Sequence, residues 1–192
     1  MFAKRRDVVN IVSGILFFVA FLPYVWAILH GQTVPSPVSW FIWASTDTLT
    51  LMAMRKEDAT RGQLTGAVAG AWLITLLAIM FGKPTIGLIE WASIIGACAG
   101  IVLWKRTGNP VTAIVCSQAA VFIGAIPTIV GAYAYPSQED PLAWIIWFLS
   151  CVCALLAIRK ERWTLVNALQ PLTFTAIETI MVILVFIRPS MP

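Results

Sequence analysis

An all-α integral membrane protein is the fold this sequence predicts: a single domain of seven transmembrane helices, built as two parallel three-helix repeats joined by a linker helix. Three observations carry the expectation: the composition, the number and length of the apolar runs, and a segment that occurs twice. Of the 192 residues, 59% are hydrophobic and only 11% charged, too few polar groups to clothe a water-soluble domain. The formal charge of +4 sits in short gaps between apolar runs, where anionic headgroups account for it. The lipid bilayer, and no nucleic acid, is therefore the expected partner.

Crossing a hydrocarbon core of about 30 Å takes about 20 apolar residues. Such runs fall near 8–30, 38–54, 62–82, 85–104, 111–134, 141–158 and 164–187. Lipid offers a backbone amide no hydrogen-bond partner, so each run must satisfy itself as helix. The first run follows Lys4, Arg5 and Arg6 as a signal peptide would. It is longer than a signal h-region and no small-x-small cleavage pattern follows it, so it reads as the first span.

Sliding the chain by 104 positions lays Pro23 on Pro127, Pro37 on Pro141, Trp40 on Trp144 and Trp43 on Trp147. Arg55, Lys56 and Glu57 then fall on Arg159, Lys160 and Glu161, and ten of the thirty-five positions from Pro23 to Glu57 are identical without a gap. A duplicated unit explains this. The first repeat covers 8–82 and the second 111–187, with 85–104 as the unpaired linker helix. An odd connecting span lets both triplets insert the same way round, which makes them parallel repeats about an axis along the membrane normal.

Of the thirteen basic residues, eleven lie in the N-terminus and in alternate loops, the other side having only Lys83 and Arg188. The positive-inside rule puts the N-terminus in the cytoplasm and the C-terminus outside, as expected of a plasma (inner) membrane protein.

A 3+1+3 layout, with Pro23 and Pro127 late in the first helix of each triplet and a short turn leading to the Pro- and Trp-rich second helices at Pro37 and Pro141, resembles the PQ-loop superfamily. That group includes SWEET-type sugar facilitators, lysosomal PQ-loop amino-acid exporters, KDEL-type retrieval receptors and, more distantly, nicotinamide riboside transporters. The eponymous Pro-Gln is Pro23-Tyr24 in one repeat and Pro127-Thr128 in the other. The resemblance implies a carrier of a small polar metabolite such as a sugar, nucleoside, vitamin or amino acid, working by alternating access as a facilitator or coupled to protons. It also implies that Pro23, Pro37, Pro127 and Pro141 are hinges, like the proline tetrad of SWEET-type carriers. From the residues alone, Pro23 and Pro127 kink their helices, whereas Pro37 and Pro141 are equally at home as ordinary first-turn prolines.

Ionisable groups inside spans are the sharper sign, because insertion scales charge them about 2.5–3.5 kcal/mol each at mid-bilayer. Asp47 follows Trp43 by four residues and shares its helix face; Glu178 is as deep in the last span. Folding the hairpins about their loops brings Trp43 level with Thr75, and Trp147 level with Thr175, with Glu178 and Thr179 one turn away. Gln118 adds an amide. Trp43, Asp47, Thr75, Gln118, Trp147, Glu178 and Thr179 thus form a candidate solute site in which indole faces stack on a neutral or cationic solute and either acid can relay protons. The alternative is that the two acids pair with hydroxyls and serve packing. Trp40 and Trp144, nearer the helix ends, belong to the interfacial aromatic belt. Asn167 and Gln170 fit a gate or an interface, and Glu90 complements a helix dipole.

Gly62, Gly66 and Gly70, and Gly96 with Gly100, recur every four residues and allow close helix approach. The Cys151/Cys153 pair diverges around its helix, so neither disulfide nor metal site is expected. No phosphate loop, His-rich cluster or Ser/His/Asp set occurs, and neither enzyme activity nor a cofactor is expected. A receptor that binds without transport, a subunit of a larger membrane complex, and a homo-oligomer are the competing expectations.

Overall fold

The computed structural model describes residues 2–33, 35, 37–82 and 87–187; Lys83 and Arg188, which enter the charge count, lie outside them. Every regular element among the described residues is helical. Helices α1 (Phe2–Val19) and α2 (Phe21–Leu29) share the first apolar run. Pro23 divides them, since it lacks the N–H that would bond the carbonyl of Val19 and its ring crowds that carbonyl. Position 19 is where α1 stops. Gly31, at φ 68, then ends α2: its N–H donates to the Ile28 carbonyl at 3.1 Å and that of Gln32 to Ala27 at 2.9 Å, the paired closure that a left-handed residue permits.

Helix α3 (Pro37–Lys56) closes the same way with a different residue. Asp58 takes φ 48, and Ala59 N–H reaches the Met54 carbonyl at 2.9 Å. There follow α4 (Gly62–Phe81), α5 (Leu88–Thr107), α6 (Pro110–Ala134), α7 (Pro141–Ala157) and α8 (Leu165–Ile187), with short 3-10 turns at Pro136–Gln138 and Lys160–Arg162. Pro37 and Pro141 both stand at helix starts, and at α7 the Asp140 carboxylate accepts the Ala143 N–H at 2.9 Å as N-cap. Helix α6 runs through position 127 without the division seen at Pro23; the ring of Pro127 lies outside the described side chains. A further proline, Pro171, sits inside α8.

Four segments are long and apolar enough to cross a membrane: Arg5–Leu29, Gly62–Phe81, Pro110–Ala134 and Leu165–Ile187. Helix α7 is apolar but shorter. Helix α3 is 20 residues long but rich in hydroxyls, which it satisfies internally: Thr46 donates to Ile42, Thr48 to Ala44 and Thr50 to Thr46, at 2.6–3.1 Å. Such back-bonding leaves a hydroxyl no unmet polar demand away from water.

Helix α1 packs on α4 and α7, α4 on α3, α3 on α6, α6 on α8, and α8 on α7, closing a ring of six; α5 lies outside it against α6 and α3. The glycines of α4 explain the tightest contact. A Cβ on Gly62 would collide with the backbone of Asn10, one on Gly66 with that of Gly14, and one on Gly70 with the Phe21 ring. Gly62 N–H, unpaired at the first turn of its helix, donates to the Asn10 side-chain oxygen at 2.7 Å. Gly96 differs from its expected role, because a Cβ there meets Ala120 at an ordinary 3.8 Å; the environment of Gly100 is outside the described side chains. Outward faces carry Ile11, Leu76, Ile79 and Leu156 exposed, while Ser13, Asp47, Gln63, Gln118 and Glu178 are buried. This inversion of a soluble protein's distribution fits a lipid surround.

Candidate functional site

Five helix faces, from α3, α4, α6, α7 and α8, and the α1–α2 junction converge on a cavity of about 80 Å³ inside the ring. A water needs about 10–15 Å³ of such space, so it has room for about five to eight waters. Trp43 and Asp47 reach it from α3, Trp147 from α7 and Glu178 from α8, and Phe17 and Phe21 close it from the junction. Each pair on one helix is spaced by three or four residues, which is why it faces one way: Trp43 with Asp47, Trp144 with Trp147, Phe174 with Glu178.

The aromatic wall is itself packed. Trp40 meets Trp43, and Trp144 meets Trp147, edge to face with ring centroids 5.1 Å apart in both pairs. Phe21 bridges the two, 5.9 Å from Trp40 and 5.1 Å from Trp147. Edge-to-face contacts of this length hold the rings in place. The indole N–H groups are used unequally. That of Trp147 donates to the Phe17 carbonyl at 3.1 Å and that of Trp144 to Glu139 at 3.0 Å, whereas Trp43 Nε1 is buried without a partner.

Asp47 is 4% and Glu178 5% exposed. Each keeps one carboxylate oxygen, Oδ1 of Asp47 and Oε2 of Glu178, buried and without a hydrogen-bond partner among the described residues. No Lys or Arg is among the described residues that line the cavity. Four of the seven expected site residues, Trp43, Asp47, Trp147 and Glu178, therefore meet in one space. The other three stand apart from the lining. The Thr75 hydroxyl donates to Ala71 at 2.7 Å and that of Thr179 to Thr175 at 2.6 Å. Gln118 donates to Thr50 at 3.2 Å and leaves its oxygen unpaired. Trp40 and Trp144, expected at the interface, are instead 9% and 8% exposed and line the cavity.

At the end carrying the Arg-rich loops, side chains tie the N-terminal part of the chain to the C-terminal part. Arg162 reaches Asp58 with both guanidinium nitrogens at 3.2 Å, Arg159 lies 3.5 Å from Asp7, and Arg6 donates to the Ile158 carbonyl at 2.8 Å. Deeper, Asn167 accepts the Thr60 N–H at 2.8 Å and Gln170 donates to Gln63 at 3.0 Å. Gln63 in turn donates to Cys151 Sγ at 2.9 Å. Sequence reasoning missed Gln63, although a polar amide one residue into an apolar run was a visible sign. It also missed Phe17, Phe21 and Phe174, which an unbroken apolar run conceals.

At the opposite end, burial lifts the Glu139 carboxyl above its ordinary range; the Trp144 hydrogen bond opposes this and the charge of Asp140 adds to it. His30 is exposed and bonds back to the Trp26 carbonyl at 2.8 Å. The four cysteines are free. Among the described residues no three His, Cys, Asp or Glu side chains are grouped to hold a metal ion; the side chain of Glu90 is not among those described. Comparison with protein-family models, with curated proteins and with solved structures gave no match.

Proposed function

We propose that this chain is a membrane carrier for a small polar solute, moved by alternating access between two three-helix halves of a seven-span, PQ-loop-like protein. The observation that carries the reading is the cavity within the helix ring, where two buried acids with unpartnered oxygens share a wall of indoles. Buried polar groups are almost always paired, so side chains left short of partners in a cavity point to an occupant. Ring order supports the two halves. Under the 104-residue shift, the α1–α4 contact corresponds to α6–α8, α3–α4 to α7–α8, and α3–α6 to α7–α1, and all six contacts occur. Asp58 and Arg162 are equivalent under the same shift and touch each other, as residues beside a two-fold axis would.

The same ring supports six of the seven proposed spans, the four long apolar segments together with α3 and α7. Helix α3 stands between α4 and α6, and α7 between α1 and α8, so each shares the bilayer with neighbours apolar enough to cross it. An N-terminus in the cytoplasm of a plasma-membrane protein accords with the basic loops. The Asp58–Arg162, Thr60–Asn167 and Gln63–Gln170 contacts then close the cytoplasmic side. A cavity well below the roughly 300–1,000 Å³ of drug-sized sites suits a very small solute.

Uptake by the purified protein in liposomes tests the proposal, using a panel of labelled sugars, amino acids and organic cations. Saturable uptake of at least one class is expected, reduced about tenfold or more by Trp43→Ala or Trp147→Ala, a loss of about 1.4 kcal/mol in binding. Ligand-dependent thermal stabilisation with no flux would instead make the protein a receptor.

A further inference from the structure

We propose that the solute is a small organic cation without an acidic group, of the quaternary ammonium kind, held between Asp47, Glu178 and the indole faces of Trp43 and Trp147. The inference rests on the carrier reading for its consequence, but concerns what the cavity binds. Each class of solute makes a different demand on the wall. An anion would meet two carboxyl groups and, among the described lining residues, no basic one. A sugar would bring several hydroxyls, each needing a partner once out of water. The wall has few to give: the indole N–H groups of Trp147 and Trp144 are committed to Phe17 and Glu139, and the remaining surface is largely phenyl, indole and alanine.

A hard inorganic cation asks for six or more oxygen ligands, and two carboxyl groups amid aromatic rings do not supply them. An organic cation asks for what is present. Its charge is spread over alkyl groups that shed water readily and lie against ring faces, where the π quadrupole attracts them. An acid then supplies the opposite charge through Asp47 Oδ1 or Glu178 Oε2, the oxygens left without partners. The aromatic cluster keeps the rings at fixed centroid distances of 5.1–6.0 Å across Phe17, Phe21, Trp147 and Trp40, so the box is shaped before the solute arrives.

The test titrates the full-length purified protein with tetramethylammonium, choline, the uncharged choline isostere 3,3-dimethylbutan-1-ol, and glucose, read by tryptophan fluorescence and calorimetry. Flux of the same probes in liposomes is measured in parallel. Saturable binding of tetramethylammonium or choline is expected, at least tenfold tighter than that of the uncharged isostere, and weakened by Asp47→Asn and Glu178→Gln. The isostere comparison uses the unaltered protein, so it decides the matter even where a variant fails to fold. Equal binding of choline and its isostere, or no response to either cation, overturns the inference. Glucose flux without cation binding overturns it while leaving the carrier reading intact, and cation binding without flux upholds it while the carrier reading fails.

Discussion

At the residue scale, the site is a matter of which polar atoms find partners within their own helix. Thr75 and Thr179 turn their hydroxyls onto carbonyls four residues back, a choice open to any helical threonine and invisible in sequence. Carboxylates have no proton to give a carbonyl when ionised, so Asp47 and Glu178 had to look elsewhere, and for Asp47 the four-residue spacing from Trp43 told which way. Glu139 shows the same economy outside the bundle. Its carboxyl is raised by burial, so folding favours the protonated form: the stability it contributes is full below the ordinary glutamate range and is lost as pH rises through the raised folded value. Trp144→Phe removes the bond that favours the ionised form. Thermal unfolding between pH 4 and 8 is expected to show the variant losing more stability on the way to neutral pH than the parent does. Equal pH slopes would mean that the Trp144–Glu139 bond does not bear on the titration.

At the scale of elements, proline and glycine punctuation was legible, and its consequences depended on position. Pro23 divides α1 from α2 at the carbonyl it cannot use, while Pro127, 104 positions further on, lies in an undivided α6. Gly62, Gly66 and Gly70 follow the expected spacing and do lie against α1 and α2, whereas a Cβ on Gly96, with the same spacing signature, meets Ala120 at an ordinary contact distance of 3.8 Å. Spacing identifies a smooth helix face but not the neighbour that will use it. Gly66→Leu is therefore expected to destabilise the protein by about 1–3 kcal/mol or more, as overpacking does, and Gly96→Ala by no more than about 0.5 kcal/mol. Thermal and denaturant unfolding in detergent compare them, and equal costs would contradict the close α1–α4 seam.

At the scale of the molecule, the ring of six helices has the contact order that the proposed repeat would give. Composition and run length sufficed for an all-helical membrane chain, because lipid leaves the backbone few options. The hollow could not be read the same way, since it depends on side chains from α1, α2, α3, α4, α6, α7 and α8 failing to fill the centre. Phe21 lies against Gly70, and the residues 104 positions further on are Ala125 and Phe174, the small and large residues exchanged.

Alternating access requires that this space meet water from each side of the membrane in turn. The direct measurement is modification of Trp43→Cys, in a background lacking the four native cysteines, by a membrane-impermeant methanethiosulfonate applied to one face or the other of oriented vesicles. The account predicts labelling from both faces, with reagent on one side blocking later labelling from the other. Protection from both sides, or labelling from a single side under every condition tried, would contradict it.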